Sequence, residues 1–257
     1  MNLVICVMNK KVFLFVFIII LFLLILIFIK NNVKVSNNPK IPILMYHGVS
    51  DETWGIESLF IKVKDFEDQM KYLHDNGFTP IFLSEIENAS LYDKPIVLTF
   101  DDGYIDLYKN AFPILKKYNI KSNIFIITDT VNGDKYLSED MIKTMYNSKI
   151  VEFGSHTKNH LLLANETEEK QLIQLKESKE FLEKLIYTNI TTLAYPGGSF
   201  NDTTLKLVKK FYNIAVTVNS DYNYKDINKN DIYKLNRINI DRATSLLYYK
   251  EIVNGYY

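Results

Sequence analysis

Two short stretches of the chain contain side chains that can bind a cation and move protons. Thr99-Phe-Asp-Asp-Gly103 places the carboxylates of Asp101 and Asp102 side by side, and His156-Thr-Lys-Asn-His160 places two imidazoles four residues apart. If the second stretch enters a helical turn, both rings point from one face and can bind one cation. The alternative is a pair of surface histidines that are neighbours by chance, and the spacing alone leaves both interpretations open.

A third ligand would favour the metal site, and Asp102 is the natural candidate because it follows a neighbouring predicted strand. Two histidines and one carboxylate leave a coordination position open for water, as a catalytic divalent site requires. Adjacent acids at a buried strand end repel each other unless a cation engages one of them. Asp101 is then a free carboxylate that can take a proton from water activated by the cation. Helix capping is the competing interpretation, and it accounts for one Asp but not for the pair.

Other polar and turn-forming residues also lie at the ends of predicted strands. Short runs rich in Ile, Val, Phe and Thr predict six buried strands and then two weaker candidates: Ile41–Tyr46, Ile96–Phe100, Asn123–Ile127, Ile150–Phe153, Thr191–Tyr195, Ile214–Val218, Pro80–Leu83 and Lys234–Ile238. His47 follows the first of these strands, and Pro196 and Gly197 follow the fifth. Arg237 lies in the last candidate. Because the carboxyl ends of parallel strands converge on one face, we expect these residues to build one site.

The elements that must position these residues alternate along the chain. Amphipathic segments between the strands predict helices: Val63–Asn76, Ile105–Tyr118, Ser138–Asn147, Glu166–Ile186, Thr203–Tyr212 and Thr244–Val253. This alternation predicts a single α/β domain over residues 41–257, with parallel strands and crossover helices. Seven or eight such units fit both a doubly wound sheet and a (β/α) barrel, for which eight units are typical.

The first forty residues differ from the rest. Val12–Ile29 is a run of 18 consecutive apolar residues, which as a helix spans roughly 27 Å. We interpret it as a transmembrane signal anchor, preceded by a short cytoplasmic tail at 1–11 and followed by a polar stalk at 30–40. The large remainder is then expected to face outward from the cell membrane. A cleaved signal peptide, which would release a secreted protein, is the alternative.

Composition excludes several classes of protein. The chain has 30 basic and 30 acidic residues, whereas a nucleic-acid binder normally shows a basic excess. Residues 41–257 carry 25 basic and 30 acidic residues, a net charge of −5. The single cysteine, Cys6, excludes an intrachain disulfide framework and a cysteine-rich zinc module.

Three motifs, in this order and at this spacing, resemble the signature motifs of the polysaccharide deacetylases, the NodB-type group of carbohydrate esterase family four. They are Thr99-Phe-Asp-Asp-Gly103, His156-Thr-x-x-His160 and Tyr195-Pro-Gly-Gly198. The resemblance covers nearly all of 41–257. It implies a distorted (β/α) barrel and a metal-dependent hydrolase that removes acetyl groups from N-acetylated or O-acetylated sugars.

The resemblance also implies roles for individual residues. Asp101 corresponds to the general base, and Asp102, His156 and His160 correspond to the metal ligands. The backbone N–H of Tyr195 corresponds to the donor that stabilises the oxyanion. Zinc is the expected metal, and cobalt, nickel or iron would also suit two imidazoles and a carboxylate.

The chain departs from the family pattern in two places. The third motif usually opens with an Arg that holds the base, whereas Ala194 stands there. Arg237 is our candidate for the missing cation, and an ion pair of purely structural importance is the alternative. The late histidine that usually serves as general acid is also absent, since no histidine follows His160.

An early histidine takes that place in our interpretation. Ile41-Pro-Ile-Leu-Met-Tyr-His-Gly48 is similar to the subgroup that deacetylates poly-N-acetylglucosamine exopolysaccharide, in which the acid comes early. His47 is therefore assigned the role of general acid, with a structural histidine at the barrel mouth as the alternative.

These observations lead to one expected function. We expect removal of acetyl groups from N-acetylglucosamine in a cell-surface polysaccharide of the poly-beta-1,6 type, with release of acetate. Peptidoglycan is the alternative substrate, and an inactive carbohydrate-binding protein is the alternative of another class. Tyr46, Trp54 and Tyr195 could stack on sugar rings or could simply pack, while Pro196 and Gly197 are expected to line the substrate groove.

Overall fold

The computed structural model describes residues 14–21, 40–221, 223–224 and 232–255. Residues 14–21 are helical and expose their apolar side chains. Within the described residues, no helix has both the length and the apolar character needed to cross a bilayer. Most of the predicted span Val12–Ile29, the tail at 1–11 and nearly all of the stalk at 30–40 lie outside the described residues.

A ring of short parallel strands forms the centre of the unit that begins at Lys40. The strands described in this unit, four of which lie outside the ring, are β1 Lys40–Ile41, β2 Ile43–Tyr46, β3 Gly48–Val49, β4 Phe60–Ile61, β5 Thr79–Pro80, β6 Pro95–Phe100, β7 Ser122–Ile126, β8 Val151–Ser155, β9 Thr192–Ala194, β10 Ile214–Val216, β11 Asn223–Tyr224 and β12 Ile238–Asn239. β1 and β11 form a separate antiparallel pair, and β3 and β4 form a separate parallel pair. In the main sheet the order is β10-β9-β8-β7-β6-β2-β12, and every neighbouring pair is parallel. β5 pairs with the first residues of β6.

The two ends of this sheet meet through the segment 235–239. Leu235 forms a parallel bridge with Val216 of β10, and its N–H donates to the carbonyl of Ala215 at 3.0 Å. A few residues later, β12 pairs with β2. This parallel α/β architecture fits the (β/α) barrel and not the open, doubly wound sheet.

Side chains alternate along each strand between the inside of the ring and its outside. The inner cluster contains Ile43, Val97, Phe125, Ala194, Ile214, Val216 and Leu235. The outer cluster, beneath the helices, contains Leu44, Tyr46, Leu98, Phe100, Ile124, Leu193, Tyr195 and Ala215. Both clusters are buried because a parallel strand is covered on both faces, which is why these strands are almost continuously apolar.

Helices cover the outside of the ring. They are α1 Val63–Asp75, α2 Phe112–Tyr118, α3 Glu139–Asn147, α4 Glu168–Ile186, α5 Asp202–Phe211 and α6 Leu246–Val253. The helix predicted over Ile105–Tyr118 consists of a π-helical segment, Leu107–Ala111, that leads into α2. A 3₁₀ helix, Leu83–Leu91, packs Leu83, Ile86 and Ala89 against the inner cluster. The predicted strand Pro80–Leu83 is therefore shorter than expected and ends at Pro80.

Candidate active site

The carboxyl ends of the strands bring the predicted polar residues to one mouth of the ring. His47 follows β2, Asp101 and Asp102 follow β6, and His156 follows β8. β2 and β6 are neighbours, with Tyr46 opposite Phe100, so the residues that follow them lie side by side. Arg237 directly precedes β12, on the other side of β2.

Asp101 and Arg237 form a fully hydrogen-bonded ion pair inside the ring. Two guanidinium nitrogens donate to the two carboxylate oxygens at 2.7 Å each, a bidentate geometry of high directionality. The Arg237 Nε–H donates to the carbonyl of Thr217 at 2.8 Å, and Nη1 also donates to the hydroxyl of Thr99 at 3.1 Å. Arg237 is 0% exposed and Asp101 is 2% exposed. The side chain suggested for the missing family Arg thus contacts the carboxylate predicted as the base.

The charges around Asp101 decide its ionisation. Burial by itself raises the pKa of this carboxyl, but the Arg237 guanidinium and His156 outweigh burial and hold the pKa well below its ordinary range. Asp101 is consequently ionised at neutral pH and can accept a proton.

Asp102, His156 and His160 form a cluster with metal-binding geometry. One potential ligand atom from each lies within 4.8 Å of the other two. The Asp102 Oδ1 is 3.5 Å from Nε2 of His156 and 3.7 Å from Nε2 of His160. His156 Nδ1 lies 2.8 Å from the carbonyl of Ala194, to which it donates as the protonated nitrogen, so the lone pair of Nε2 is left for a metal.

Backbone geometry, not a helical turn, brings the two imidazoles together. Residues 156–160 lie in a loop after β8. Thr157 and His160 have φ of +67° and +64°, in the left-handed region. The His160 N–H donates to Thr157 Oγ1 at 3.1 Å, which stabilises the turn. Asp102 also has a positive φ, +72°, and left-handed non-glycine residues of this kind concentrate at functional sites.

His47 lies at the same mouth and is half-buried. Burial lowers the pKa of its imidazole, while the nearby carboxylates of Asp101 and Asp102 act in the opposite direction. Burial also lowers the pKa of His156. Both rings are therefore neutral at neutral pH, the state in which an imidazole binds metal or accepts a proton.

Two predicted sugar-stacking residues belong to the packed layer outside the ring. Tyr46 is 0% exposed, and its hydroxyl donates to Gln69 Oε1 at 2.8 Å. Tyr195 is also 0% exposed, and its hydroxyl donates to the carbonyl of Tyr233 at 2.9 Å. Of the two possibilities for these rings, stacking on sugar or packing, their burial favours packing, because each precedes or follows a mouth-facing position by one residue and so points to the opposite face.

The backbone of Tyr195 is also engaged within the fold. Its N–H donates to the carbonyl of Val216 at 3.1 Å as part of the β9–β10 ladder, so it is not the free donor that the resemblance implies. In the turn that follows, Gly198 donates to Tyr195 and Ser199 donates to Pro196. Pro196 is buried, whereas Gly197 is exposed at the mouth.

A cleft of about 390 Å³ lies beside the three-residue cluster. It is lined by Ile56, Leu59, Asp102, Tyr104, Ile127, Asp129, Thr130, Tyr136, Asn159 and His160. Tyr104 and Tyr136 were not among the predicted site residues. Their rings lie 5.5 Å apart on loops joined by a backbone bridge between these two residues. The sequence feature that could have identified them as site residues is their position in the loops that follow β6 and β7. Trp54 is half-buried against Phe60, with ring centroids 4.6 Å apart.

Known proteins share this fold and these motifs. A family model described as polysaccharide deacetylase matches residues 88–213. YxkH of Bacillus subtilis, provisionally named a polysaccharide deacetylase, is 34% identical over 219 residues, which cover 83% of this chain and 76% of that protein. The poly-beta-1,6-N-acetyl-D-glucosamine N-deacetylase of Staphylococcus aureus is 33% identical over 172 residues, or 60% of this chain and 59% of that enzyme.

A solved structure extends the comparison to three dimensions. The deacetylase PplD of Streptococcus pyogenes, in complex with acetate, superposes with a TM-score of 0.77 at 30% identity, covering 84% of this chain and 99% of that one. The match to YxkH spans most of both chains, and the cluster and motifs lie within the shared region. This chain therefore belongs to the polysaccharide deacetylase family and is a hydrolase.

Proposed function

We propose that the protein removes acetyl groups from N-acetylglucosamine units of a cell-surface polysaccharide of the poly-beta-1,6 type and releases acetate. The observation that carries this proposal is the Asp102, His156 and His160 cluster, which lies beside an ionised Asp101 at the mouth of the ring. The name of the S. aureus relative supports the choice of polymer. We further propose that the protein acts outside the cell, tethered to the membrane through residues 12–29.

Asp102, His156 and His160 would hold a divalent cation. The donor set fits such an ion, because the Nδ1–H of His156 is taken by the Ala194 carbonyl and its Nε2 lies 3.5 Å from the Asp102 carboxylate. Two imidazoles and one carboxylate suit zinc, and also cobalt, nickel or iron. When bound, the cation would acidify a water molecule and polarise the acetamide carbonyl.

Asp101 is the proposed general base. Its second oxygen lies 4.0 Å from Nε2 of His156, so the carboxylate borders the position of the attacking water. Arg237 keeps Asp101 ionised and fixes its orientation through two hydrogen bonds. The arrangement leaves the carboxylate ready to accept one proton as water attacks the acetamide carbon.

His47 is the proposed general acid. Its ring lies within electrostatic range of Asp101. Burial lowers the pKa of the imidazole, so His47 is neutral before the reaction and must take up a proton to act as an acid. The proton that Asp101 removes from water supplies it, and His47 then passes that proton to the nitrogen of the departing amine, which leaves Asp101 ionised again. Glucosamine and acetate are the products.

Gly197 is the proposed donor to the oxyanion. Tyr195 donates within the sheet and Gly198 and Ser199 donate within the turn, while Pro196 has no N–H. Among the described residues, none accepts a hydrogen bond from the exposed Gly197 N–H. A free backbone donor at the mouth is suited to stabilise negative charge that develops on the acetamide oxygen.

Acetate release tests the proposed function. The purified protein is assayed on beta-1,6-linked N-acetylglucosamine oligomers and on peptidoglycan glycan strands, before and after removal of metal by a chelator. We expect release from the beta-1,6 oligomers, loss of activity after chelation, and recovery when zinc is added. Faster release from peptidoglycan would reassign the substrate, and activity that survives complete metal removal would refute the mechanism.

Matched histidine variants identify the metal site. His160→Ala removes one proposed ligand, so we expect at least about a 100-fold loss of activity and a loss of bound metal measured by elemental analysis. His74→Ala is the control, since His74 lies in α1 and packs against Tyr118 with ring centroids 5.8 Å apart. Equal metal content in the two variants would contradict the proposed ligands.

A further inference from the structure

We propose that the loop formed by residues 50–61 is the wall of the cleft that contacts the sugar units next to the reacting one, and that Arg242 is the positioning residue that holds this loop in place. The proposal deepens the proposed function and rests on it, because it names the part of the polysaccharide that the cleft would bind.

The 50–61 loop is closed at its base. β3, which directly precedes the loop, pairs in parallel with β4, which forms its last two residues, and the N–H of Ser50 donates to the carbonyl of Ile61 at 2.9 Å. A surface segment of this length whose ends meet is a compact unit that packs on its own side chains and is often functional. Its position over the cleft therefore depends on contacts with the rest of the molecule.

Arg242 supplies most of those contacts from the chain segment after β12. Its Nη1 donates to the carbonyl of Phe60 at 3.0 Å and lies 3.3 Å from that of Ser50. Its Nη2 donates to the carbonyl of Asp51 at 3.1 Å, and its Nε lies 3.3 Å from a carboxylate oxygen of Glu57. The backbone N–H of Arg242 donates to the carbonyl of Ser58 at 3.1 Å. One guanidinium thus binds both ends of the loop and a side chain from its middle.

The loop presents apolar side chains to the cleft. Ile56 and Leu59 line it, and Ile56 is 65% exposed. The rings of Tyr104 and Tyr136 line the same cleft, and Tyr104 packs against Phe60 of the loop at a centroid distance of 5.3 Å. A pyranose ring has apolar C–H faces and a polar edge of hydroxyls, so a slot with apolar walls and the polar side chains of Asp129 and Asn159 suits it. Exposed apolar residues that border a site mark a binding surface.

The loop also contains the single tryptophan of the protein. Trp54 packs against Phe60 and meets Tyr104 at a centroid distance of 6.1 Å. Its indole N–H is buried and has no acceptor among the described residues. Among those residues the indole makes no hydrogen bond that holds the loop, so the polar contacts of Arg242 act beside these ring contacts and the hydrogen bond from the Val63 N–H to Asp51 Oδ1. Because no other tryptophan contributes, intrinsic fluorescence reports the environment of this loop directly.

Steady-state kinetics and Trp54 fluorescence test the proposal together. We expect Arg242→Gln to raise KM for a beta-1,6-linked pentasaccharide of N-acetylglucosamine about ten-fold or more, since charged hydrogen bonds are lost. We expect kcat to change less than about three-fold, and KM for the disaccharide to change less than KM for the pentasaccharide. The emission of Trp54 should shift to longer wavelength, and Arg242→Lys should restore part of each effect.

Lys179→Gln is the control, because it removes a charged side chain that also holds a loop by hydrogen bonds but lies away from the cleft. Lys179 lies in α4 and donates to Asn189 Oδ1. We expect it to leave KM and the emission spectrum unchanged. An equal rise of KM in this control would overturn the proposal, as would a loss of kcat at constant KM in Arg242→Gln or an unchanged Trp54 spectrum.

Ile56→Ser provides a second test in case the Arg242 variants do not fold. Because Ile56 is exposed, its substitution is expected to leave the fold intact. Its matched control is Leu91→Ser, a substitution of another exposed apolar residue (80%) that does not line the cleft. We expect Ile56→Ser alone to raise KM for the pentasaccharide, and unchanged KM would overturn the proposal. Absence of acetate release from every substrate would defeat the proposed function instead. The loop would then still be tested by titrating Trp54 fluorescence with the pentasaccharide, and a spectrum that this ligand does not change would overturn the proposal.

Discussion

The family motif places an Arg at the end of β9, whereas in this chain the Arg that contacts the carboxylate of Asp101 is Arg237, which directly precedes β12. Ala194, which stands at the usual Arg position, is 0% exposed and belongs to the inner cluster of the ring. Residues 194 and 237 therefore both point inward, and a cation can reach Asp101 from 237. A buried ion pair of this kind contributes little net stability, but removal of one partner leaves an uncompensated charge.

The pH dependence of turnover tests this pair. Asp101 must be ionised to act as a base, and Arg237 lowers its pKa, so Arg237→Gln should raise that pKa. The acidic limb of the kcat/KM profile should then move to higher pH by on the order of one unit or more. Arg237→Lys, which keeps the charge without the bidentate geometry, should shift the limb less. An unmoved limb would mean that Asp101 is not the titrating base.

Asp102 and His156 were accessible to sequence reasoning because each lies just after the end of a predicted strand. His160 joins them through the left-handed turn at residues 157–160, which the spacing of the two histidines did not predict. For Tyr46 and Tyr195 the sequence left stacking on sugar and packing both open, and the alternation of faces along a strand would have favoured packing. Tyr104 and Tyr136 meet through a bridge between two loops, and no local pattern in either loop predicts such a contact.

The strands and helices were predicted well where their pattern is local. Ser138 and Asn201 cap α3 and α5, and their side-chain oxygens accept hydrogen bonds from the Met141 and Thr204 N–H groups, as expected for these residue types. The first predicted strand, in contrast, divides into β1 and β2 at Pro42, because a proline has no N–H for the ladder. The π-helical segment Leu107–Ala111 was not predicted, since an amphipathic pattern does not distinguish a short π-helical segment from an α-helix.

Asp106 connects that π-helical segment to β3. It is 2% exposed, one of its oxygens accepts from the N–H of Val49, and the other has no hydrogen-bond partner among the described residues. Burial raises the pKa of Asp106 to about 6, although the bond from Val49 acts against that rise. Ionisation of this carboxyl at neutral pH therefore opposes folding.

A comparison of the free energies of unfolding of the wild type and Asp106→Asn should measure how much ionisation of Asp106 destabilises the fold. Because the folded-state pKa is raised, the favourable contribution of the protonated carboxyl is complete below about pH 4 and is lost as pH rises through about 6. Asn keeps one acceptor for the Val49 N–H and does not ionise. We expect the variant to be more stable than the wild type by about 1–3 kcal/mol at pH 8 and equal to it near pH 4, as measured by urea unfolding. An advantage that did not change with pH would show that ionisation is not its cause.

At the scale of the whole molecule, the chain divides into two units, Met1–Pro39 and Lys40–Tyr257. The second unit contains both hydrophobic clusters and the complete candidate site. The net charge of −5 over residues 41–257 gives the catalytic unit no electrostatic attraction to anionic lipids. Attachment to a membrane would thus depend on the apolar run Val12–Ile29 alone.

Fractionation of three forms tests that dependence. The full chain should sediment with membranes and resist extraction by salt, since 18 apolar residues are long enough to span the hydrocarbon core. A fragment of residues 40–257 should remain soluble and keep kcat/KM on short oligomers within about two-fold, because the site lies entirely inside it. Ile20→Lys places a charge near the centre of the run and should weaken insertion by about 3 kcal/mol. A mature protein in the medium whose N-terminus, read by mass spectrometry, lies beyond residue 29 would instead establish the cleaved signal peptide.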